Sequence, residues 1–156
     1  MSGQVVELTV RKSVLVEVSQ QRAFDVFTAG FAGWWPLDTH HIGEQDAVAA
    51  VMEPHAGGRW FERAADGTEC EWGRVIAFEP PHRVLLGWQI NADWKYDPAI
   101  TSEVEVRFVP EGPASTRVEL EHRGLSAYGD RAAEIHEAVS SPGGWSGLLE
   151  RFAAAA

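Results

Sequence analysis

The sequence holds one cysteine, Cys70, and only two tyrosines and two methionines. A single cysteine cannot form an intramolecular disulfide or supply a thiolate zinc site, so an ordinary apolar core must hold the fold. Basic residues are also scarce, with 13 Lys and Arg against 23 Asp and Glu and a net charge of −10. Gripping phosphates or an anionic membrane surface needs the opposite balance, so nucleic acid is not an expected partner. No run approaches the roughly 18 apolar residues of a membrane span. The opening MSGQVVELTVRKS lacks the basic start and apolar stretch of a signal peptide. The expectation is a cytoplasmic chain without membrane insertion.

Tryptophan is what the sequence has in quantity: seven, beside seven phenylalanines, in 156 residues. With 45% hydrophobic and 23% charged residues, the composition is that of a globular domain. The length suits a single domain over residues 1–156.

The hydrophobic pattern predicts mostly strands. Val10, Val14, Val16 and Val18 alternate with polar residues within Glu7–Val18. Ser19 is placed to cap a helix over Gln20–Thr28, followed by a Gly-rich turn and a loop opened by Trp34-Trp35-Pro36. Further strands are expected at Ala47–Glu53, Arg59–Arg63, Glu69–Phe78, Arg83–Ile90, Thr101–Val109 and Thr116–His122. The period then becomes helical over Asp130–Ser140. Ser141-Pro142-Gly143-Gly144 interrupts it, and Ser141 as cap with Pro142 in the first turn restarts it. Trp145, Leu148, Leu149 and Phe152 form the apolar stripe of the last helix. No helix crosses over between strands, so the fold class is an antiparallel α+β domain, its sheet packed around the C-terminal helix.

Four segments carry a family resemblance: Gly57-Gly58-Arg59-Trp60; Gly73-Arg74-Val75 through Glu79-Pro80-Pro81-His82-Arg83-Val84 to Trp88; Thr101–Val109 with Thr116–Gly124; and Gly144-Trp145 with Leu148 and Leu149. In order and spacing, over about residues 8–153, they resemble the SRPBCC (START-like) superfamily. Within it they resemble the AHSA-type family, named for the C-terminal domain of a heat-shock chaperone ATPase activator. The resemblance implies a helix-grip fold of six or seven strands with a cavity between sheet and helix. Ser141–Gly144 departs from it and should shorten or kink the long helix.

The resemblance implies a binding site for a small hydrophobic molecule: lipid, acyl or aromatic. Strand parity puts Trp60, Trp72, Ile76, Leu86, Trp88, Val104, Val106, Val118 and Leu120 on one concave face, met by Trp145, Leu148 and Leu149. Glu62, Arg74 and His122 share that parity and are candidate polar groups in an apolar pocket. The candidate ligand-binding set is Trp35, Trp60, Glu62, Trp72, Arg74, Trp88, His122, Trp145 and Leu149. Arg74 pairs with Glu62 if parity holds, or turns outward if Gly73 sits in a bulge; both stay open. His40-His41 with Asp38 and Glu44 lacks metal-ligand spacing, so no metal or other cofactor is expected. Cys70 lies between Glu69 and Glu71, which disfavours an activated thiolate. No nucleophile or phosphate-loop motif occurs, so no catalytic residue is assigned. A cyclase- or hydrolase-like use of the cavity is one alternative. The other is an interaction module of the AHSA type, a homodimer or chaperone partner using Trp34-Trp35 or Trp94-Tyr96.

Overall fold

In the computed structural model, which describes residues 9–156, seven strands form one antiparallel sheet in the order β1-β7-β6-β5-β4-β3-β2. They are β1 (Val10–Val16), β2 (Ala47–Met52), β3 (Arg59–Ala64), β4 (Glu69–Glu79), β5 (Arg83–Trp88), β6 (Ser102–Gly112) and β7 (Ser115–Arg123). Strands β2 to β7 pair consecutively, and β1 returns to lie along β7. The first strand begins at Val10; Glu7 and Leu8 of its expected span lie outside the described residues.

The alternation in β6 and β7 places side chains as expected. Val104 sits opposite His122, Val106 opposite Leu120 and Phe108 opposite Val118, all buried on the concave face. The intervening residues face outward, where Glu105 accepts hydrogen bonds from Arg83 and Arg123. Burial works to raise the Glu105 carboxyl, but those hydrogen bonds and the Arg107 and Arg83 charges outweigh it and hold it at about 2.

Strand β4 breaks the expected parity twice. Its pairing with β3 skips Trp72, and its pairing with β5 skips Ile76. Each bulge flips the side chains beyond it. Trp72 and Val75 therefore face inward, while Arg74 and Ile76 face out, Ile76 with 45% exposure. Between the bulges the β4 and β5 backbones nearly touch. A Cβ on Gly73 would sit 1.7 Å from the Gly87 carbonyl oxygen, so no other residue fits there. Phe61, the neighbour of inward Trp60 on β3, is buried on the outer face beneath the Arg59 and Arg63 guanidiniums.

Helix α1 (Gln20–Phe27) is capped by Ser19, whose Oγ accepts from the Arg22 amide at 3.2 Å. It buries Phe24 and Phe27 against Phe108, and Phe27 also meets Phe152. The C-terminal helical region is split into α2 (Ala132–Ser140) and α3 (Trp145–Ala155), with a 3-10 segment over Leu125–Arg131 before it. Ser141 does not cap the second helix. It ends the first, its Oγ donating to the Ala138 carbonyl at 2.7 Å, and α3 begins after Gly144 rather than at Pro142. A Cβ on Gly144 would lie 2.3 Å from the Val139 carbonyl oxygen, so this tight turn between helices requires glycine. Among the described residues no helix is long and apolar enough to cross a membrane.

Candidate functional site

Between the concave face and the split helices lies a cavity of about 500 Å³, within the range of small-molecule sites. Its deep walls are the buried rings of Trp35, Trp72, Trp88 and Trp145, with Ile90 and Leu148. Three segments frame the mouth: Thr39–Ile42 of the loop before β2, Trp94 of the turn after β5, and Ser141–Gly144 between α2 and α3. The walls are continuous aromatic packing, edge-to-face at Trp145 and tilted between Trp35 and Trp72. Trp35 meets Trp72 and Trp145, and Trp88 meets Trp145, at ring separations of 5.2–6.0 Å.

Three of the four wall indoles are held by their own N–H. Trp145 donates to His122 Nδ1 at 3.0 Å, Trp72 to Glu62 Oε1 at 2.8 Å, and Trp35 to the His40 carbonyl at 2.9 Å. Trp88 donates to no acceptor among the described residues, and neither does Trp60. Trp60 is fully buried behind Trp72 and Trp88 and does not line the cavity.

The polar candidates have structural partners rather than open positions. The buried Glu62 carboxylate also accepts from the Ile42 and Gly43 amides at 2.6 and 3.2 Å, which fastens the mouth loop to β3. Arg74 is on the outer face, 3.4 Å from Glu71, so the expected pairing with Glu62 does not form. His122 is fully buried behind Trp145, and burial holds it down at about 3. Leu149 is buried in the core, and Leu148 of the same stripe lines the cavity instead.

His40 and His41 line the mouth and engage different partners. His40 Nε2 meets the Gly143 carbonyl at 2.7 Å, bridging the loop to the turn between α2 and α3. His41 Nδ1 meets the Gly43 carbonyl at 3.0 Å. Cys70 stays outside the cavity lining, its thiol pushed up by burial and by the Glu62 charge.

Trp94 is half-exposed with φ of 60°, the one non-glycine with positive φ among the described residues. Its turn is over-determined. Asn91 Oδ1 accepts from the Asp93 and Lys95 amides, both at 3.0 Å, and Arg131 reaches Asp93 at 2.8 Å. Trp34 and Trp35, by contrast, are buried. Alternation along the expected strand Arg83–Ile90 put Ile90 on the side of Trp88, although the strand itself ends at Trp88. Periodicity could not place Trp94 or the mouth loop, which lie outside regular elements, and only the aromatic character of Trp94 singled it out.

A second concavity, of about 290 Å³, lies against Arg11, Lys12, Glu105 and Arg107. Within it Arg11 pairs with Glu121 and Arg107 with Glu105.

The chain is 43% identical to Txn09, an anthrahydroquino-γ-pyrone synthase solved as a complex; the match covers 95% of this chain and 96% of that one, with a TM-score of 0.66. It is 31% identical to CalC, a self-sacrificing resistance protein from Micromonospora echinospora, covering 94% and 92% of the two chains with a TM-score of 0.70. Protein MLL2253 from Mesorhizobium loti shares the fold at 17% identity, with 94% of each chain covered and a TM-score of 0.66. No curated protein matches the sequence. The model of the family described as Activator of Hsp90 ATPase homolog 1-like protein matches residues 17–156, and the chain, with its helix-grip fold, belongs to that family.

Proposed function

We propose that the chain binds a planar, mostly hydrophobic aromatic molecule in the cavity between the sheet and the split C-terminal helices. The observation that carries this reading is the wall itself: four buried indoles around about 500 Å³, with a fifth, Trp94, at the mouth. Flat aromatic rings offer a flat ligand offset-stacked and edge-to-face contacts that a flexible acyl chain cannot use as fully. The wall residues Trp35, Trp72, Trp88 and Trp145 of the candidate set bind the ligand. Trp60, Glu62, His122 and Leu149 support the wall from behind, and Arg74 takes no part. The 43% identity to a protein named for an aromatic, anthrahydroquinone-fused product supports the same ligand class.

A second reading, a synthase acting on such a ligand, is favoured by that same relative and by the two histidines at the mouth. For the interaction-module alternative Trp34 and Trp35 are buried, while Trp94 and Tyr96 are exposed.

Native mass spectrometry of freshly purified protein tests the binding reading. A non-covalent adduct of a few hundred daltons with an aromatic absorption spectrum, lost on denaturation, is expected. For a ligand-free preparation, addition of anthraquinone-2-sulfonate should quench the tryptophan fluorescence saturably. Bare protein that also fails to respond to anthraquinone-2-sulfonate contradicts it.

A further inference from the structure

His40 and His41 are the only imidazoles that line the cavity among the described residues, and imidazole is the side chain best suited to acid–base work near neutral pH. No carboxylate, thiol, amine or guanidinium of the described residues lines it. The two imidazoles are not equivalent. A backbone carbonyl can only accept, so the 2.7 Å contact to the Gly143 carbonyl puts a proton on His40 Nε2. Its Nδ1, at 2.8 Å from Thr39 Oγ1, is taken by the hydroxyl. Both His40 nitrogens are thus spent on closing the mouth.

In His41 the 3.0 Å contact to the Gly43 carbonyl puts the proton on Nδ1 and leaves the lone pair on Nε2. That Nε2 makes no hydrogen bond among the described residues; its nearest charged atom is Asp46 Oδ1 at 4.0 Å, on a side chain 98% exposed. Asp46 is thus placed to pair with a proton carried on Nε2. Two other ionisable groups beside the loop are engaged elsewhere. Glu62 accepts from the Ile42 and Gly43 amides, and the Cys70 thiol lies against Gly43. The indole N–H groups of Trp35, Trp72 and Trp145 are engaged with protein acceptors, whereas those of Trp88 and Trp94 make no hydrogen bond among the described residues and remain donors to a ligand oxygen.

We propose that His41 Nε2 is the proton acceptor for an acidic hydroxyl on the bound aromatic molecule, which makes the ligand class a planar phenol or enol. The ligand O–H bond breaks, its electron pair stays on oxygen as the phenolate, and the proton forms the Nε2–H bond of an imidazolium. The pair stays neutral overall, which suits a site with no other charge on its wall. The inference rests on the aromatic-ligand reading and adds a general-base position to it.

The test uses 7-hydroxycoumarin, a planar phenol whose phenolate absorbs at longer wavelength than the neutral form. It is read with each protein in excess, about one pH unit below the ionisation of the free probe, where roughly one-tenth of free probe is phenolate. With the wild-type chain the bound probe should be at least about threefold richer in phenolate than free probe. His41→Gln should abolish that enrichment, Asp46→Asn should reduce it, and His55→Gln, outside the cavity lining, should keep it. Should His41→Gln fail to fold, nitrogen NMR of the wild type gives the same answer: the His41 ring signals move to the imidazolium pattern when the probe is added. Equal enrichment in wild type and His41→Gln, no enrichment in the wild type, or histidine signals that stay neutral would overturn the proposal while leaving binding intact. Failure of the wild type to bind the probe or anthraquinone-2-sulfonate, read as absent tryptophan quenching, would overturn the aromatic-ligand reading, and this proposal with it.

Discussion

Trp145 Nε1 donates to His122 Nδ1 at 3.0 Å, which leaves the His122 proton on Nε2, 3.4 Å from Ser102 Oγ. Ser102 Oγ in turn donates to the Trp88 carbonyl at 2.7 Å. A buried chain of three hydrogen bonds thus ties two cavity walls, one on α3 and one on β5, through a neutral imidazole.

The chain makes His122 a stability residue with a pH signature. Burial holds the folded group at about 3, whereas an unfolded imidazole titrates near 6.5. Between those values the unfolded chain binds one more proton than the folded chain. Stability at His122 is therefore full above about 6.5 and falls as pH drops toward 3, by up to about 1.4 kcal/mol per unit. His122→Ala leaves a cavity and strands the Trp145 N–H, so it should cost roughly 3–5 kcal/mol at neutral pH. It should also flatten the slope between pH 6 and 4. Urea unfolding at several pH values checks both, and an unchanged slope would show that His122 is not the group titrating.

Trp60 and Trp72 touch each other on adjacent strands but differ in their N–H groups. Trp72 donates to the buried Glu62 carboxylate, and Trp60 donates to nothing among the described residues. Phe in place of either loses similar packing, but only Trp72→Phe loses a hydrogen bond to a charged group. Trp72→Phe should therefore be more destabilising than Trp60→Phe by about 1–3 kcal/mol. Equal losses in denaturant titrations would contradict the assignment of these partners.

The same strands show how far the sequence was legible. The period-two pattern of β6 and β7 predicted the inward rows ending at His122, because both strands pair without a bulge through that stretch. The pattern failed on β4, where bulges at Trp72 and Ile76 reset the parity, so Arg74 and Ile76 point away from the face that alternation assigned them. Gly73 was the readable hint, and its requirement comes from the approach of Gly87, a tertiary contact. The helix break at Ser141–Gly144 was visible in its Pro and Gly content, but its cap was not: glycine packing against Val139, not serine capping, sets where α3 starts. The mouth could not be read from periodicity, since loop residues such as His41 and Trp94 are positioned by Glu62 and Arg131 from distant parts of the chain.

Trp94 holds a bulky side chain at positive φ beside the cavity, at a backbone cost of about 1–2 kcal/mol. Trp94→Gly should remove that strain and leave the melting temperature unchanged or higher. It should also weaken binding of anthraquinone-2-sulfonate by roughly three- to tenfold through loss of a stacking surface. Thermal unfolding and fluorescence titration of one variant read the two effects separately. Affinity that survives with stability lowered would make Trp94 a structural residue only.

The seven tryptophans provide the most direct test of the aromatic cavity, because each gives its own indole N–H signal in a nitrogen–proton NMR spectrum. Five of them, Trp35, Trp72, Trp88, Trp94 and Trp145, line the cavity, whereas Trp34 and Trp60 do not. Titration with anthraquinone-2-sulfonate should shift the five cavity signals markedly and the other two little. Signals that all stay in place, or shifts centred on Trp34 and Trp60, would contradict the account.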